Sequence, residues 1–357
     1  TIYAGGTATD NTATVTWTSI GAQSISVNYI NLNGCTAVVP KSLAINVNDL
    51  PDNSLIVNDD EICIGEQATV VLESSISGVT YQLRLDSDNS NVGPTLNGNG
   101  GNLNFPVSPL TTTLYNILAS NANGCSDQLL DKPTVTVNPL PIPVLASSDA
   151  DNTICIGESV TFTASGGDEY EFFVDGSSVQ GPSNVDVYTS IGLLDGEEVT
   201  VEVTNAAGCT DISSGIITTV HDLPIISLTG IQEVCLNESG MIYTTDAGMS
   251  NYTWAVVGGI IDAGGSSSDH TITITWTSLG AQSVSVNYEN ANSCEAVSPQ
   301  SLAINVNELP DDSFTFTDVV ICEGDIALIE QSNSVLNISY QLRLDSDNSL
   351  IGAPIMG

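Results

Sequence analysis

The chain of 357 residues carries eight cysteines, and they stand in two sequence contexts that alternate along it. Four follow an apolar residue and precede a tight acidic turn: ICIGE (62–66), ICIGE (154–158), VCLNE (234–238) and ICEGD (321–325). Four close an asparagine-led turn: NLNGC (31–35), NANGC (121–125), NAAGC (205–209) and NANSC (290–294). Zinc binding by thiolates needs ligands in close pairs, and no C-x-x-C stands anywhere in the sequence. Regularly spaced, widely separated cysteines instead point to disulfides and to an oxidising compartment.

Joining each cysteine of the first kind to the next of the second kind predicts Cys63–Cys125, Cys155–Cys209 and Cys235–Cys294. Cys35 and Cys322 are then left to pair outside the sequence. A bridge closing a loop of that size contributes roughly 4 kcal/mol in the chain-entropy model.

Other chemistry is thinly supplied. There are two histidines, His221 in a linker and His270 in a loop, and neither G-x-S-x-G nor H-E-x-x-H occurs. The run NGNGGN (97–102) lacks the spacing of a phosphate-binding loop and reads as a mobile loop. Carboxylates abound, but in polar turns, with nothing to raise a pKa as an acid catalyst needs. No catalytic residue and no enzyme activity are expected. Calcium is the one ion the sequence could recruit, since it takes six to eight oxygen ligands. Candidate ligands border two junctions, Asp49, Asp52, Asp59 and Asp60 at one and Glu308, Asp311 and Asp312 at the other, with Asp149 and Asp151 in a third acidic stretch.

These residues sit on a repeated frame. The decapeptide YQLRLDSDNS at 81–90 returns at 340–349, an offset of 259 that also carries Trp17 onto Trp276, Cys35 onto Cys294 and Cys63 onto Cys322. Shorter units are marked by NDLP (48–51), NPLP (138–141), HDLP (221–224) and NELP (307–310), whose prolines remove a ladder donor and stiffen the junction. The expected domains are therefore 51–138, 139–222 and 223–308, flanked by half-units 1–50 and 309–357. Alternating runs such as TVTVN (134–138), VTVEVTN (199–205) and TITITW (271–276) predict strands throughout and no long helix. Six or seven short strands per unit make a two-sheet, immunoglobulin-like β-sandwich, so the fold class is all-β, a tandem array of such sandwiches. Trp254 falls where an inward tryptophan would pack on the Cys235–Cys294 bridge.

In YQLRLD, alternation places Tyr81, Leu83 and Leu85 on the core face and turns Arg84 outward, with Arg343 its copy. An outward arginine is expected either to be solvated in a weak ion pair or to reach an acidic patch on an adjacent unit.

The net charge of −38 repels phosphate backbones and anionic membrane surfaces, which excludes nucleic acid as a partner class. No apolar run approaches the roughly 20 residues that cross a bilayer. The opening TIYAGGTATD has neither a starting Met nor the basic and apolar regions of a signal peptide, so any signal or anchor is expected outside these residues.

The run VCLNE…IYT…NYTWAVVGG…ITITW…SVSVNYENANSC (234–294) resembles the PKD-like domain of very large, type IX-secreted surface adhesins of gliding Bacteroidota. ICIGESVTFTASGG…YEFFVDG…VTVEVTNAAGC (154–209) is similar to the Ig-like domains interleaved with it there. The resemblance implies a non-enzymatic array on the bacterial cell surface, acting as stalk and multivalent adhesive filament, sometimes in gliding motility. Its partners would be adjacent repeats of the same chain and surface glycans or the substratum. A carbohydrate-binding accessory region of a secreted polysaccharide-degrading enzyme is the alternative. Against it, aromatics make up only 5% of residues, and Trp17, Trp254 and Trp276 lie in strand patterns that suggest burial.

Overall fold

The computed structural model describes residues 1–7 and 9–357, and among them it contains β-strands and turns with no helix. The alternating runs become strands as their period demands. In Glu198–Thr204 the valines 199, 201 and 203 are fully buried while the residues between them are not. In Thr271–Trp276 the same alternation buries Ile272, Ile274 and Trp276. The chain forms immunoglobulin-like β-sandwiches, as the strand count and the alternation imply. It divides into two compact units, one of Thr1–Ala150, Thr161–Thr189 and Glu197–Ile217, the other of Asp151–Val160, Ser190–Gly196 and Thr218–Gly357.

In the first unit, residues 57–138 build a two-layer sandwich. One layer is Val57–Asn58, Ala68–Leu72 and Leu103–Val107. The other runs in the order Asp60–Cys63, Thr134–Asn138, Thr113–Asn121, Val79–Leu85 and Leu96–Asn97, with Ser126–Gln128 also paired to Thr113–Asn121. Val70, Leu72 and Phe105 from the first layer share a core with Tyr81, Leu83 and Ile117 from the second. Asp60–Cys63 lies parallel to Thr134–Asn138 with Cys63 opposite Asn138, whereas Thr113–Asn121 is antiparallel to it and ends at the far side. The same unit holds Val144–Ser147 paired with Phe162–Ser165, and the ladder Ser177–Ser183, Glu169–Val174, Glu198–Thr204 and Thr210–Ile212. Tyr188 packs its ring against Phe162 and Phe172, with centroids at 6.3 and 5.8 Å. Residues 2–47 add the pairs Ile2–Gly5 with Ala13–Val15 and Gly21–Val27 with Lys41–Val47.

The second unit contains Thr153–Cys155 parallel to Thr219–His221, and a sandwich of two four-stranded sheets. One sheet is ordered Leu228–Gly230, Met241–Thr245, Thr271–Trp276, Gly259–Gly264; the other Glu233–Cys235, Gln300–Asn307, Gly280–Glu289, Ser250–Val257. Their core centres on Trp276, whose indole meets Tyr243 edge-on at 5.9 Å and donates Nε1–H to its hydroxyl at 3.0 Å. The chain bends sharply at the double glycine: Gly258 takes φ +84°, and its carbonyl accepts from Thr277 and Ser278, each at 3.0 Å. A second cluster of Tyr252, Val286 and Tyr288 closes the opposite end, with Ile226, Met249 and Trp254 packed against it.

The repeat shows what that packing does. Val286 and Tyr288 are 0% and 1% exposed, while their copies Val27 and Tyr29 are 62% and 64% exposed. Ile226, Met249, Tyr252 and Trp254, which cover the buried pair, have no counterparts at the 259-residue offset within this chain.

Candidate functional site

The groups with the most defined chemistry are the cysteines, and the structure pairs them differently from the sequence expectation. Cys63 is bonded to Cys209 and Cys155 to Cys294, with Cα atoms 5.6 Å apart in each pair and sequence separations of 146 and 139. The expected bridges Cys63–Cys125, Cys155–Cys209 and Cys235–Cys294 do not form. Cys35, Cys125, Cys235 and Cys322 are free thiols.

Strand direction explains the correction. Cys63 stands opposite Asn138, the last residue of its sheet before the next Leu-Pro motif, and Cys235 stands likewise opposite Asn307. Cys125 and Cys294 follow strands that run the other way and end at Asn121 and Glu289. At about 3.3 Å per residue, nine residues of strand put some 30 Å between the two positions, and a disulfide tolerates Cα atoms no more than about 7 Å apart.

Each cysteine is held by the turn that contains it. In C-I-G-E the Glu66 carboxylate accepts the Cys63 N–H at 2.9 Å while the Cys63 carbonyl accepts from Glu66 N–H at 3.0 Å. Glu158, Glu238 and Asp325 accept from Cys155, Cys235 and Cys322 in the same way, at 3.1, 2.9 and 3.0 Å. The third residue of the turn has positive φ, which is why it is Gly65, Gly157, Asn237 or Gly324. In the N-x-x-[GS]-C turns of Cys125, Cys209 and Cys294 the leading asparagine side chain makes three bonds. Asn205 Oδ1 accepts from Ala207 and Cys209 N–H, and its Nδ2 donates to the Pro139 carbonyl at 2.9 Å.

That last bond locates the bridges. The Leu-Pro motif is gripped from both sides at consecutive residues. Ile64 N–H donates to the Asn138 carbonyl and Asn205 to the Pro139 carbonyl, both at 2.9 Å, and Cys63 and Cys209 sit beside these grips. At the next motif Ile156 donates to His221 and Asn290 to Asp222, again at 2.9 Å each, beside Cys155–Cys294. The disulfides therefore lie across the motifs NPLP and HDLP, each joining a turn that precedes the motif to a turn that follows it. Asn121 makes the corresponding bond to Asp49 at 2.8 Å, and Leu236 to Asn307 at 2.9 Å. The sequence reading missed these asparagines, although all four N-x-x-[GS]-C turns carry one.

The remaining candidates are local. Among the described residues no three acidic, histidine or cysteine side chains converge as a metal site. Asp52 accepts from Ser54 N–H and hydroxyl, and Asp311 from Ser313 N–H; the Ser54 and Ser313 bonds hold both carboxyls below the usual range. Asp59 accepts from Thr134 N–H at 2.7 Å, Asp60 from Thr69 N–H at 2.8 Å and Asp49 from Leu50 N–H at 3.0 Å. Glu308 and Asp312 are exposed and are not brought to these groups. Asp151 caps Thr153 N–H at 3.2 Å, and Asp149 N–H donates to Ser147.

Trp254 is half-buried between two core clusters and donates Nε1–H to the Asp269 carbonyl at 2.8 Å; no Cys235–Cys294 bridge lies beneath it. Arg84 is neither free in solvent nor aimed at another unit. It lies half-buried along its own sheet, with Nε donating to Asn116 Oδ1 at 2.8 Å and a terminal nitrogen to Gln128 at 3.1 Å. The buried Asn116 passes its own protons to Asp86 and Asn89, and Lys132 meets Asp86 at 2.7 Å. That lysine, more than any other group, holds the Asp86 carboxyl below its ordinary value. Next to this network a shallow groove is lined by Leu85, Asp86, Ser87, Thr112, Thr113 and Leu114. Of the histidines, His221 ends a strand beside Cys155, and His270 contributes its carbonyl to Thr245 N–H.

Residues 222–304 match the family model of the PKD-like domain. Among solved structures the chain is similar to a Ca2+-stabilised adhesin that helps an Antarctic bacterium bind ice, at 15% identity over 80% of this chain and 82% of that one, with a TM-score of 0.43. It is also similar to the eight N-terminal Ig domains of Down Syndrome Cell Adhesion Molecule, at 16% identity over 81% and 43% of the two chains and a TM-score of 0.33. A third likeness is to part of a 1.5-MDa bacterial ice-binding adhesin, at 12% identity over 73% and 100% and a TM-score of 0.30. No curated protein matches the sequence.

Proposed function

We propose that the chain is a segment of an extracellular, non-enzymatic repeat array on a bacterial cell surface, a load-bearing stalk whose repetition multiplies weak adhesive contacts. The units are those marked by the Leu-Pro motifs, 51–138, 139–222 and 223–308 with half-units 1–50 and 309–357. The resemblance to type IX-secreted gliding adhesins supplies the wider setting, with surface glycans or the substratum as partners.

The observation that carries this reading is the placement of Cys63–Cys209 and Cys155–Cys294 across NPLP and HDLP. The two bridged segments overlap between residues 155 and 209, so every peptide bond from 63 to 294 is bypassed by at least one disulfide. A bond pattern confined within units would stabilise each sandwich but leave every linker a single covalent strand. Overlapping bridges give a tether under tension a second covalent path, and effective concentration then multiplies whatever each unit binds.

A specific protease site inserted after Pro141 tests it. After complete cleavage the oxidised chain should run as one band without reductant and as two with it. Two bands without reductant would contradict the tether. Binding of the intact chain to a glycan array without any mechanical role would instead favour the carbohydrate-binding alternative.

A further inference from the structure

The junctions at NPLP and HDLP are complete, and two others are present as halves. At NELP the outgoing half is built: Cys235 lies opposite Asn307, Leu236 N–H donates to the Asn307 carbonyl at 2.9 Å, and Glu238 caps the cysteine N–H. These are the contacts that Cys63 and Cys155 make in the bonded junctions. At NDLP the incoming half is built: Asn121 donates to the Asp49 carbonyl at 2.8 Å and accepts from Cys125 N–H at 3.1 Å. Asn205 and Asn290 do the same beside Cys209 and Cys294.

The 259-residue offset says what each half lacks. NDLP and NELP are copies of one motif, so Asp49 in the first corresponds to Glu308 in the second. Residues 309–357 match 50–98, and the residues that follow position 98 in the first copy contain the turn of Cys125. We infer that Cys235 and Cys125 are the two halves of one junction type: in the array, the cysteine corresponding to Cys235 of each PKD-like unit is disulfide-bonded to the cysteine corresponding to Cys125 of the unit that follows. Every sandwich is then stapled to both neighbours. The partner of Cys235 is a further copy of the 51–138 sandwich, recognised through its N-x-x-G-C turn. Cys322 and Cys35 obey the same rule as copies of Cys63 and Cys294. This inference rests on the tether reading above and extends it from two junctions to all.

Formation of the bridge oxidises two thiols. One thiolate attacks the disulfide of a thiol–disulfide oxidant, releasing one reduced sulfur. The second thiolate then displaces the other, so two electrons and two protons pass to the oxidant, which leaves as two thiols.

The test extends the full chain at Gly357 with a second copy of residues 99–138, which completes the last sandwich in its own sequence. Refolding with oxidised and reduced glutathione supplies the oxidant, and non-reducing peptide mapping reads the bonds. The expected product links Cys235 to the added copy of Cys125 and leaves Cys322 as a thiol. A Cys235→Ser version of the extended chain should free the added cysteine. A bridge from Cys322 to the added cysteine, or a free Cys235 in the folded product, overturns the inference. Cys63–Cys209 in the same digest separates the outcomes: if it is present while Cys235 is free, the extension alone fails, and if it is absent, the tether reading fails as well.

Discussion

Cys63 and Cys209 are bonded across the NPLP motif, and Asn205, at the head of the same turn as Cys209, donates to the carbonyl of Pro139 within that motif. One turn thus holds the linker twice, by a covalent bond and by a hydrogen bond. The loop closed between the cysteines spans 146 residues, for which the chain-entropy model gives about 5 kcal/mol. Replacing both Cys63 and Cys209 by serine should lower the unfolding free energy of the oxidised chain, read from guanidinium titration, by an amount of that order, while the same pair of changes at Cys35 and Cys322 should leave it unchanged.

Asn205→Ala removes the donor to Pro139 and the acceptor for two backbone N–H groups. A net loss of roughly 1 kcal/mol per bond is expected. Asn205→Asp keeps the two accepted bonds and should lose less. Thermal melts of the two variants beside the parent check the order, and an Asn205→Asp chain that melts with the parent would assign the asparagine no grip on the linker.

In the second unit the Tyr288 hydroxyl donates to Asp246 at 2.6 Å, and Asp246 also accepts from Ser227 N–H at 2.8 Å. The tyrosine bond first, then the backbone bond, hold the Asp246 carboxyl below its usual range, while burial and the adjacent carboxylate push the Tyr288 phenol up. A depressed carboxyl contributes stability that is present above its unfolded value and is lost as pH falls through the folded one. A raised phenol contributes stability present below its unfolded value near 10 and lost as pH rises beyond it. Melts should therefore decline below about pH 4 and above about pH 10. Tyr288→Phe should be less stable at pH 7 and shallower at both ends; parallel profiles for the two proteins would contradict the coupling.

Arg84→Ala leaves the buried Asn116 Oδ1 without its donor, a cost of about 1–3 kcal/mol for a buried polar atom. The loss should appear as earlier hydrogen exchange in Val79–Leu85 and Thr113–Asn121, the strands that carry the pair. Protection lost instead outside 57–138 would mean that the arginine works between units.

Calcium should matter little to stability. Asp52 and Asp311 already accept backbone N–H groups in their own turns, Asp59 and Asp60 accept those of Thr134 and Thr69 on neighbouring strands, and recruiting them to an ion would break those bonds. Melting temperatures with millimolar calcium and with chelator should coincide, and a rise of several degrees on adding calcium would restore the acidic junctions as ligands.

The fold was largely legible because alternation is a local property. Val199, Val201 and Val203 show their burial in the order of the letters, and Gly258 its bend in the doubled glycine. The repeat was equally plain, since a 259-residue offset needs no geometry. The bond partners were not legible by adjacency. Which end of a sandwich a cysteine occupies depends on whether its strand runs with or against the last one, a relation between Asp60–Cys63 and Thr134–Asn138 that no local pattern displays. Arg84 shows a second limit. Period two placed it on the outer face, but only the register of Thr113–Asn121 and Ser126–Gln128 brings Asn116 and Gln128 beneath its guanidinium.

Non-reducing peptide mapping of the oxidised chain measures the central claim directly. The account predicts crosslinked peptides joining Cys63 to Cys209 and Cys155 to Cys294, with Cys125 and Cys235 recovered as alkylatable thiols. Peptides joining Cys63 to Cys125 and Cys235 to Cys294 would contradict it and return each disulfide to a single sandwich.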